Sequence, residues 1–510
     1  MNNKHPEYVD LAHYRINTDI AKRLPEKYAR AYSALALNED EDGILVGMTD
    51  PDDIDAVDAI GQALGEPVIT TQIDEDALDT ILDTVYRRSE EISVHAEALQ
   101  EELHKSSSQP GSGSSEEDEI TDAPVINLLQ SLFEDAVQIG ASDIHIEPDE
   151  SFLRLRMRVD GLLQEQIIGE KKIAPAIALR LKLIAGLNIA EKRLPQDGRF
   201  NMRVKDKPVD VRLSTLPTEY GEAAVMRLLD QSQDEVGLEQ IGMGDEYLKR
   251  FRKLLARRDG VILVTGPTGS GKSTTLTSAL QELNKPEVKI MSIEDPVEYR
   301  IPRVTQAQVN EKLGMTFATV LRTALRQDPD IIMVGEMRDV ETANIAMRAA
   351  LTGHLVLSTL HTNDSASTAF RLIDMGIKGF LVGTTLRGVL AQSLARKACT
   401  ECLVEHELED HERAWLKAAN SPVISDDTVF YQGEGCAYCN HTGYSGRIGV
   451  FELLELDSEM IEALRNNEPS RFYDHAAKVL HGQRMVDNAL QIAVDAKTSV
   501  AEVIRVIGEV

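Results

Sequence analysis

A glycine-rich stretch in the second half of the chain has the residue types and spacing that hold a nucleoside triphosphate. Residues 266–273 read GPTGSGKS and fit the pattern G-x-x-x-x-G-K-[ST]. They follow the apolar run VILVT and open the helical stretch TLTSALQEL, which is the context this pattern requires. Glycines let backbone N–H groups close on phosphate oxygens, and the start of a helix adds a favourable field for an anion. The stretch therefore predicts a P-loop.

The positions of this loop have distinct expected roles. Lys272 is expected to reach the outer phosphates, and the hydroxyl of Ser273 is expected to ligate Mg²⁺. The other positions expected to bind the nucleotide are Gly266, Pro267, Thr268, Gly269, Ser270, Gly271 and Thr274.

A second stretch, residues 328–339, reads DPDIIMVGEMRD, and its apolar strand ends at Gly335 and Glu336. Hydrolysis requires a group that orients the attacking water and groups that stabilise charge on the transferred phosphoryl. Glu336, at the strand tip, is the predicted catalytic residue that polarises this water. Gly335 stands where an aspartate is usual, so Mg²⁺ is expected to depend more on Ser273 and on water. The alternative is that Glu336 is a solvated loop carboxylate.

Two further groups of polar residues accompany strands of the same region. Glu294, Asp295 and Glu298 follow the apolar run KIMSI, and His354 and His361 flank the run LVLSTL. Because the carboxyl ends of strands line the ligand crevice of an α/β sheet, we expect Glu294 and His354 to contribute to nucleotide binding. His361 is expected to sense the γ-phosphate through a hydrogen bond and is counted with the catalytic residues. The alternative for each histidine is a structural role.

The four cysteines form two C-x-x-C pairs, Cys399 with Cys402 and Cys436 with Cys439, separated by 33 residues. Such pairs suit a tetrahedral Zn²⁺ site, in which each pair spans one edge. With no open coordination position, the zinc would be structural. The insert between the pairs must loop out and return. The alternative is that the cysteines are reduced surface thiols.

An α/β domain must position these groups, and the sequence predicts one at residues 236–510. Helical stretches alternate there with the apolar runs VILVT, KIMSIE, IIMVG and LVLSTL, which is typical of a mostly parallel sheet. The zinc-binding insert is predicted at about residues 396–445. A C-terminal helical part is predicted at about residues 451–510.

The preceding half is predicted to contain a small domain and a linker. Residues 1–88 are predicted to form a small α/β domain for docking or regulation, with strand ILVGM and a helix that ends near Gly65. Asp50 or Asp52 is the expected cap of that helix. Residues 89–121 are predicted to be a flexible acidic linker with a charged helical piece, because their Ser/Gly/Pro-rich and acidic composition cannot bury a core.

A second domain of mixed α+β type is predicted at residues 122–235. VINLLQSLFEDAVQ carries apolar residues along one helical face. LRLRMRV alternates apolar and basic residues, which is typical of a half-buried strand. Asp160 and Gly161 then supply a hairpin turn.

Composition limits the function classes. The chain has 510 residues and a formal charge of −30, so nucleic-acid binding is not expected as its main task. It lacks an apolar run of 18 residues and a secretory signal pattern. We therefore expect a cytoplasmic protein, in which cysteines are more often metal ligands than disulfides.

Taken in order, these motifs resemble those of the assembly ATPases of type II secretion and type IV pili. The segments GASDIHIEP, RLPQDGR and GYSGRIGVFELL strengthen the resemblance, which covers residues 122–510 nearly continuously. It implies a RecA-like P-loop ATPase domain preceded by a PAS-like α+β domain. It also implies ATP, Mg²⁺ and Zn²⁺ as cofactors.

The resemblance further implies a homo-hexamer on the cytoplasmic face of the inner membrane. ATP turnover would move the second domain against the ATPase domain and drive a polytopic platform protein that adds pilin-like subunits to a filament. The family's second domain supplies arginines to the nucleotide, and Arg199 and Arg212 match those segments. Residues 1–88 resemble half of the family's N-terminal module, which would dock on a membrane protein.

Within the family the chain is most similar to extension ATPases of the MSHA-type pilus, through LRLKLIAGLNIAEKRLPQDGRFNMRV and ALRQDPDIIMVGEMRD. That branch often carries an Arg-Leu-Gly repeat that binds cyclic-di-GMP. The repeat is absent from this sequence, so cyclic-di-GMP binding is not expected. A second departure is QSLARKAC, in which Ser393 and Ala398 replace an Arg and a Leu that are usual in the family.

Three other functions remain open. A pilus retraction ATPase is the nearest, although those chains generally lack the zinc insert and the long N-terminal region. A DNA translocase is a second, and the charge of −30 argues against it. A regulator that binds ATP without hydrolysing it is the third, and the presence of Lys272, Ser273 and Glu336 argues against it.

Overall fold

A computed structural model gives the fold. It describes residues 8–11, 14, 16–40, 43–75, 78, 81–82, 85–86, 89–107, 122–204, 207–230, 236–425, 427–436 and 438–508. These residues form two compact units. The first contains the described part of residues 1–233 together with 399–402 and 434–443, and the second contains the described part of residues 234–398, 403–433 and 444–510.

The N-terminal part of the first unit is a small α/β domain built on a three-stranded sheet of order β1-β2-β3. Its elements are α1 (Thr18–Ala21), α2 (Glu26–Ala31), β1 (Ala34–Asp40), β2 (Gly43–Met48), α3 (Ile54–Leu64) and β3 (Val68–Gln72). The predicted strand ILVGM and the predicted helix are confirmed. The cap prediction is wrong by one residue, because the carboxylate that accepts the N–H of Ala56 is that of Asp53.

The helix that follows corrects the predicted linker. Helix α4 (Ser89–Ser107) buries Ile92, Ala96 and Leu99 completely in the core of the next domain. Its apolar residues recur every three or four positions, so the acidic face stays in water while one stripe packs. The rest of the predicted linker, residues 108–121, lies outside the described residues.

The second domain is a six-stranded antiparallel sheet of order β6-β5-β4-β9-β8-β7. Its elements are α5 (Asp122–Gln138), β4 (Asp143–Pro148), β5 (Phe152–Val159), β6 (Leu162–Glu170), α6 (Ala174–Ile184), β7 (Gln196–Val204), β8 (Lys207–Thr218) and β9 (Gly221–Asp230), with a 3₁₀ turn at Lys171–Ile173. Along β5 the side chains of Leu153, Leu155 and Met157 are buried, while the arginines between them are partly exposed. The predicted helix, alternating strand and turn are confirmed.

The second unit is the α/β domain that carries the P-loop. Its sheet has the order β12-β11-β13-β14-β10-β15-β18, with every pairing parallel except the edge strand β18. The strands are β10 (Gly260–Thr265), β11 (Ile290–Glu294), β12 (Thr305–Gln308), β13 (Ile331–Val334), β14 (Leu355–Leu360), β15 (Leu386–Ala398) and β18 (Tyr444–Glu455). All four apolar runs singled out in the sequence are central strands, which confirms the predicted sheet.

Helices cover this sheet and extend it at the C-terminus. They are α7 (Asp245–Leu255), α8 (Lys272–Leu283), α9 (Phe317–Ala324), α10 (Val340–Leu351), α11 (Ser365–Asp374), α12 (Gly379–Thr385), α14 (Ser458–Asn466), α15 (Pro469–Val479), α16 (Met485–Val494) and α17 (Val500–Ile507). A further 3₁₀ turn spans Glu311–Leu313.

The insert occupies the connection between β15 and β18. It contains a 3₁₀ turn (Thr400–Cys402), β16 (Leu403–His406), α13 (Asp410–Ala419) and β17 (Phe430–Gly433). Ala398 and Tyr444 are register partners, so the chain leaves and re-enters the sheet at neighbouring points. The predicted insert boundaries shift inward to residues 399–443, because both strands run further than the sequence suggested.

Candidate active site

The P-loop joins β10 to α8 in the predicted position. Gly269 and Gly271 have positive φ of 79° and 86°, a region that costs other residues conformational strain. Lys272, the first residue of α8, is buried, and its amine donates to the carbonyl oxygens of Gly266 and Pro267 at 2.8 and 2.7 Å. Ser273 is exposed beside it. The loop carbonyls thus hold the amine of Lys272 next to the place where the phosphates are expected to bind.

The residues present fit a bound nucleotide. A Cβ atom built on Gly266 would lie 2.1 Å from the carbonyl oxygen of Gln392, so glycine is needed where the backbone turns. The buried Oγ of Ser270 has no hydrogen-bond partner among the described residues. Burial lowers the pKa of Lys272, and the charge of Glu336 partly opposes that effect. An anion in the loop would give Lys272 an oppositely charged partner in addition to the two loop carbonyls.

Glu336 lies two residues beyond β13, and Thr359 on β14 fixes the backbone on both sides of it. The hydroxyl of Thr359 donates to the carbonyl of Gly335 at 2.7 Å, and the N–H of Met337 donates to the carbonyl of Thr359 at 3.2 Å. Asp339 then caps α10 by accepting from the N–H of Thr342. The acidic side chain is therefore held at the sheet edge by backbone contacts.

The imidazole of His361 and the guanidinium of Arg338 both face the Glu336 carboxylate. Nε2 of His361 lies 3.5 Å from one of its oxygens, and Arg338 forms an ion pair with the other. Arg338 also lies 3.8 Å from a carboxylate oxygen of Asp295. The pairing with Glu336 raises the pKa of Arg338. Sequence reasoning did not single out Arg338, although it stands inside the quoted GEMRD segment.

Glu294 ends β11 at the same edge and is mostly buried. Its Oε1 accepts from Ser292 Oγ at 2.5 Å and from Gln306 Nε2 at 3.0 Å. Both contacts orient the carboxylate at the carboxyl end of the strand, where the sequence predicted it. Its role in nucleotide binding stays a prediction.

The two histidines lie at opposite ends of β14. His361 follows the strand, level with the P-loop, because Thr265 and Leu360 are register partners. His354 precedes the strand, and its Nδ1 lies 2.9 Å from the carbonyl oxygen of Ala349. The six residues of β14 lie between them, so their Cα atoms are seven steps apart, or about 23 Å at 3.3 Å per residue. The structure therefore does not place His354 beside the P-loop. A structural role, which was the alternative for this histidine, fits its position.

Threonine hydroxyls link the P-loop strand to the segment after His361. Oγ1 of Thr265 accepts from the N–H of Thr362 at 3.0 Å and lies 2.5 Å from its Oγ1. Thr362 Oγ1 lies a further 2.6 Å from Thr368 Oγ1, in α11. This contact spans 97 residues, so no local pattern in the sequence could have revealed it.

Arg199 and Arg212 are cross-strand partners in the second domain, on β7 and β8. The guanidinium of Arg199 makes a forked contact with Asp210, with distances of 2.5 to 3.1 Å, and remains about half exposed. Arg212 pairs in register with Arg227 on β9. The sheet therefore carries an arginine row, and the predicted role of its members toward the nucleotide stays a prediction.

The four cysteines converge into one buried cluster, with all Sγ atoms within 4.8 Å of one another. Neighbouring sulfurs lie 3.8 to 3.9 Å apart. A tetrahedral ion with bonds of about 2.3 Å would separate its sulfur ligands by about 3.8 Å. N–H groups of Gly435, Cys436 and Gly443 point at the sulfurs at 3.2 to 3.3 Å. This donor set fits Zn²⁺.

Comparison with known proteins gives the fold and site a family. Residues 118–505 match the family described as type II/IV secretion system protein, and residues 6–92 match the MshEN domain. Type II secretion system ATPase E of Vibrio cholerae is 45% identical over 389 residues, which is 76% of each chain. Type II secretion system protein HxcR of Pseudomonas aeruginosa is 40% identical over 498 residues, 95% of this chain and 98% of the relative.

A relative from a pilus system matches at similar length. Type IV pilus assembly ATPase PilB of Myxococcus xanthus is 37% identical over 505 residues, 97% of this chain and 88% of the relative. Among solved structures, the pilus retraction motor PilT with bound ADP is 26% identical, with a TM-score of 0.50 over 74% of this chain and 96% of that one.

This chain belongs to the type II/IV secretion system protein family. It is a P-loop ATPase of the secretion and pilus assembly kind, which confirms the predicted enzyme class and the predicted multidomain fold with a RecA-like ATPase domain. Within the part of the chain that the structure describes, no helix combines the length and apolar character that a membrane span requires.

Proposed function

We propose that this protein is the cytoplasmic ATPase that drives assembly of a type IV pilus, MSHA-like in kind, or of a type II secretion pseudopilus. The observation that carries the proposal is the meeting of Lys272, Glu336 and His361 at one sheet edge. It occurs in a chain that matches HxcR over 98% and PilB over 88% of their lengths. Because these three side chains lie together in a chain of this length, a motor that hydrolyses ATP is favoured over a protein that only binds the nucleotide.

Each residue near the expected nucleotide position has one proposed role. Bound MgATP would supply the phosphoryl group. Lys272 would neutralise the outer phosphates, and Ser273 would hold Mg²⁺. Glu336 is proposed to orient the attacking water. His361, whose Nε2 lies 3.5 Å from the Glu336 carboxylate, is proposed to sense the γ-phosphate through a hydrogen bond. Arg199 and Arg212 are proposed to offset the charge that develops in the transition state.

The four-cysteine cluster is proposed to hold structural Zn²⁺, since its sulfur separations match a closed tetrahedral site. The working assembly is proposed to be a homo-hexamer at the inner-membrane face that acts on a polytopic platform protein. Residues 1–88 are proposed to dock on a membrane protein. These proposals follow the family resemblance.

The test replaces Glu336 with Gln in the chromosome of the native cell and counts surface filaments and proteins in the medium together. The matched control is Glu341→Gln, which removes an exposed carboxylate five residues away that pairs with Arg322. Loss of filaments with normal export indicates a pilus motor, and loss of exported enzymes with normal pili indicates a secretion motor. If neither changes in cells that express the protein, the assembly proposal is wrong.

A retraction ATPase is the second candidate, and the likeness to the retraction motor PilT is the observation that favours it. The same strain separates the two, because a retraction motor that stops turning over leaves more surface filaments. A DNA translocase would instead require DNA binding that weakens steeply with salt.

A further inference from the structure

Gln392 is a buried polar side chain beside the P-loop that the site described above does not use. It lies on β15, the strand next to β10, and is only 2% exposed. Ala391 is the register partner of Thr265, so Gln392 lies level with Gly266, the first residue of the loop. A buried amide at this position needs partners, because an unmade hydrogen bond there is costly.

The amide finds a partner at each of its two polar atoms. Nε2 donates to the carbonyl oxygen of Ser270 at 2.6 Å, and Oε1 accepts from Oγ1 of Thr275 at 2.8 Å. Ser270 belongs to the loop, whereas Thr275 lies in the first turn of α8, three residues after Lys272. Gln392 therefore joins the loop to the helix that carries the lysine.

Close packing repeats this link at both ends of the loop. A Cβ atom on Gly266 would collide with the carbonyl of Gln392, and a Cβ atom on Gly271 would lie 3.2 Å from its Nε2. The start of the loop thus rests on the backbone of Gln392 and the end rests on its side chain.

We propose that Gln392 is a positioning residue for ATP hydrolysis, which holds the P-loop in the conformation that receives the phosphates. Nucleotide binds only the fraction of molecules whose loop is already shaped for it, so apparent affinity falls with that fraction. Gln392 does not touch the reacting atoms and acts through Ser270 and Thr275. The proposal rests on the ATPase activity alone and does not depend on which filament is built.

The test compares steady-state kinetics of full-length variants with those of the wild type. Gln392→Met keeps the length and the apolar volume but removes both hydrogen bonds. We expect its KM for ATP to rise about tenfold while kcat changes less than about twofold. Ser393→Ala, on the opposite face of β15, is the matched control and should leave KM unchanged.

Substitutions of Thr275 give a second, independent test of its contact with Gln392. Thr275→Val removes only the hydroxyl that donates to Gln392 and should raise KM about threefold, whereas Thr275→Ser keeps the hydroxyl and should restore the wild-type KM. Combined with Gln392→Met, Thr275→Val should add little, because the shared contact is already gone.

The melting temperature without nucleotide separates positioning from stability. A Gln392→Met protein that melts near the wild-type temperature yet loses affinity supports the proposal. A variant whose melting temperature and kcat fall together at unchanged KM shows a purely structural role and overturns it. A KM for Gln392→Met within twofold of the Ser393→Ala value overturns it as well.

Discussion

Glu336 and His361 follow two adjacent parallel strands, β13 and β14, and face each other, with Nε2 of the histidine 3.5 Å from a carboxylate oxygen of the glutamate. The register of β13 with β14 creates this approach, since Val334 and Ser358 are partners and each chain then runs two or three residues to its polar side chain. A change in either side chain is therefore expected to alter how the other is held.

Glu336→Gln should lower kcat for ATP hydrolysis by about 10² to 10³ while nucleotide binding persists. The amide keeps the shape but cannot polarise water as a carboxylate does. Turnover assays together with equilibrium binding of ATP measure the two effects separately. Glu341→Gln, on the exposed face of α10, should retain wild-type turnover. A Glu336→Gln protein with wild-type kcat would remove Glu336 from the catalytic residues.

Thr265→Val should weaken the attachment of the segment after His361 to the P-loop strand. It leaves the N–H of Thr362 without its acceptor in a partly buried site, at a cost of about 1 to 3 kcal/mol. We expect kcat to fall about fivefold and Thr265→Ser to recover it. Steady-state turnover with the two variants in parallel is the measurement, and equal kcat in both would contradict the role of the hydroxyl.

Arg199→Ala and Arg212→Ala should each lower kcat about a hundredfold or more if these arginines offset transition-state charge. Arg203→Ala is the matched control, because Arg203 is an exposed arginine on the same strand as Arg199. Turnover of the assembled protein is compared among the three variants. If all three behave alike, the two arginines have no special role toward the nucleotide.

Cys436→Ser should lower the zinc content well below the one ion per chain expected for the wild type, since it removes one of four sulfur ligands. Elemental analysis of the purified proteins is the direct measurement. Prolonged treatment with a chelator should reproduce the loss. Wild-type protein that contains no zinc after purification in zinc-supplemented buffer would contradict the assignment.

Glu502→Gln should destabilise the C-terminal helices at neutral pH by about 3 to 5 kcal/mol. Glu502 is fully buried and accepts from Arg396 and Arg505. Burial alone would raise its pKa, but the hydrogen bonds from these two arginines outweigh burial and hold the pKa below its usual value. The stabilisation is present above the unfolded pKa of about 4.3 and is lost as pH falls through the lower folded value.

Fluorescence of Trp415, the single tryptophan, can follow this transition. Its Nε1 donates to the carbonyl of Gly508 at the end of α17, the helix that carries Glu502. The acid-induced change should be shallower in Glu502→Gln than in the wild type. Glu462→Gln removes an exposed carboxylate on α14 and serves as the control. Parallel acid titrations of wild type and Glu502→Gln would contradict the prediction.

Short-range patterns in the sequence were enough to predict the elements that carry the site. The P-loop, the strand before Glu336 and the paired cysteines each have a short-range pattern, and each lies in the predicted element. The contacts between neighbouring elements around the site could not be predicted from such short-range patterns. Gln392 meets Ser270 across 122 residues and Thr359 meets Gly335 across 24, and only the strand order brings them together.

Besides the helix cap, two predictions differ from what the structure shows, and each difference has a physical reason. Helix α4 was predicted as a charged helical piece of a linker, because the Ser/Gly/Pro-rich and acidic composition of the segment cannot bury a core. Its residues Ile92, Ala96 and Leu99 nevertheless form a narrow apolar stripe that packs. His354 was grouped with His361 because both flank one strand. A strand has two ends, and only its carboxyl end faces the phosphate loop.

The register partnership of Ala398 and Tyr444 places the two ends of the insert side by side. Because β15 and β18 already hold these ends, a longer connection would add little closure entropy. The insert also contributes to a core: Leu416, Ala419 and Phe430 are buried in one cluster with Val486 and Val500 of the C-terminal helices. Extra residues in its exposed loops should therefore be tolerated, whereas deletion of the insert would expose that core to water.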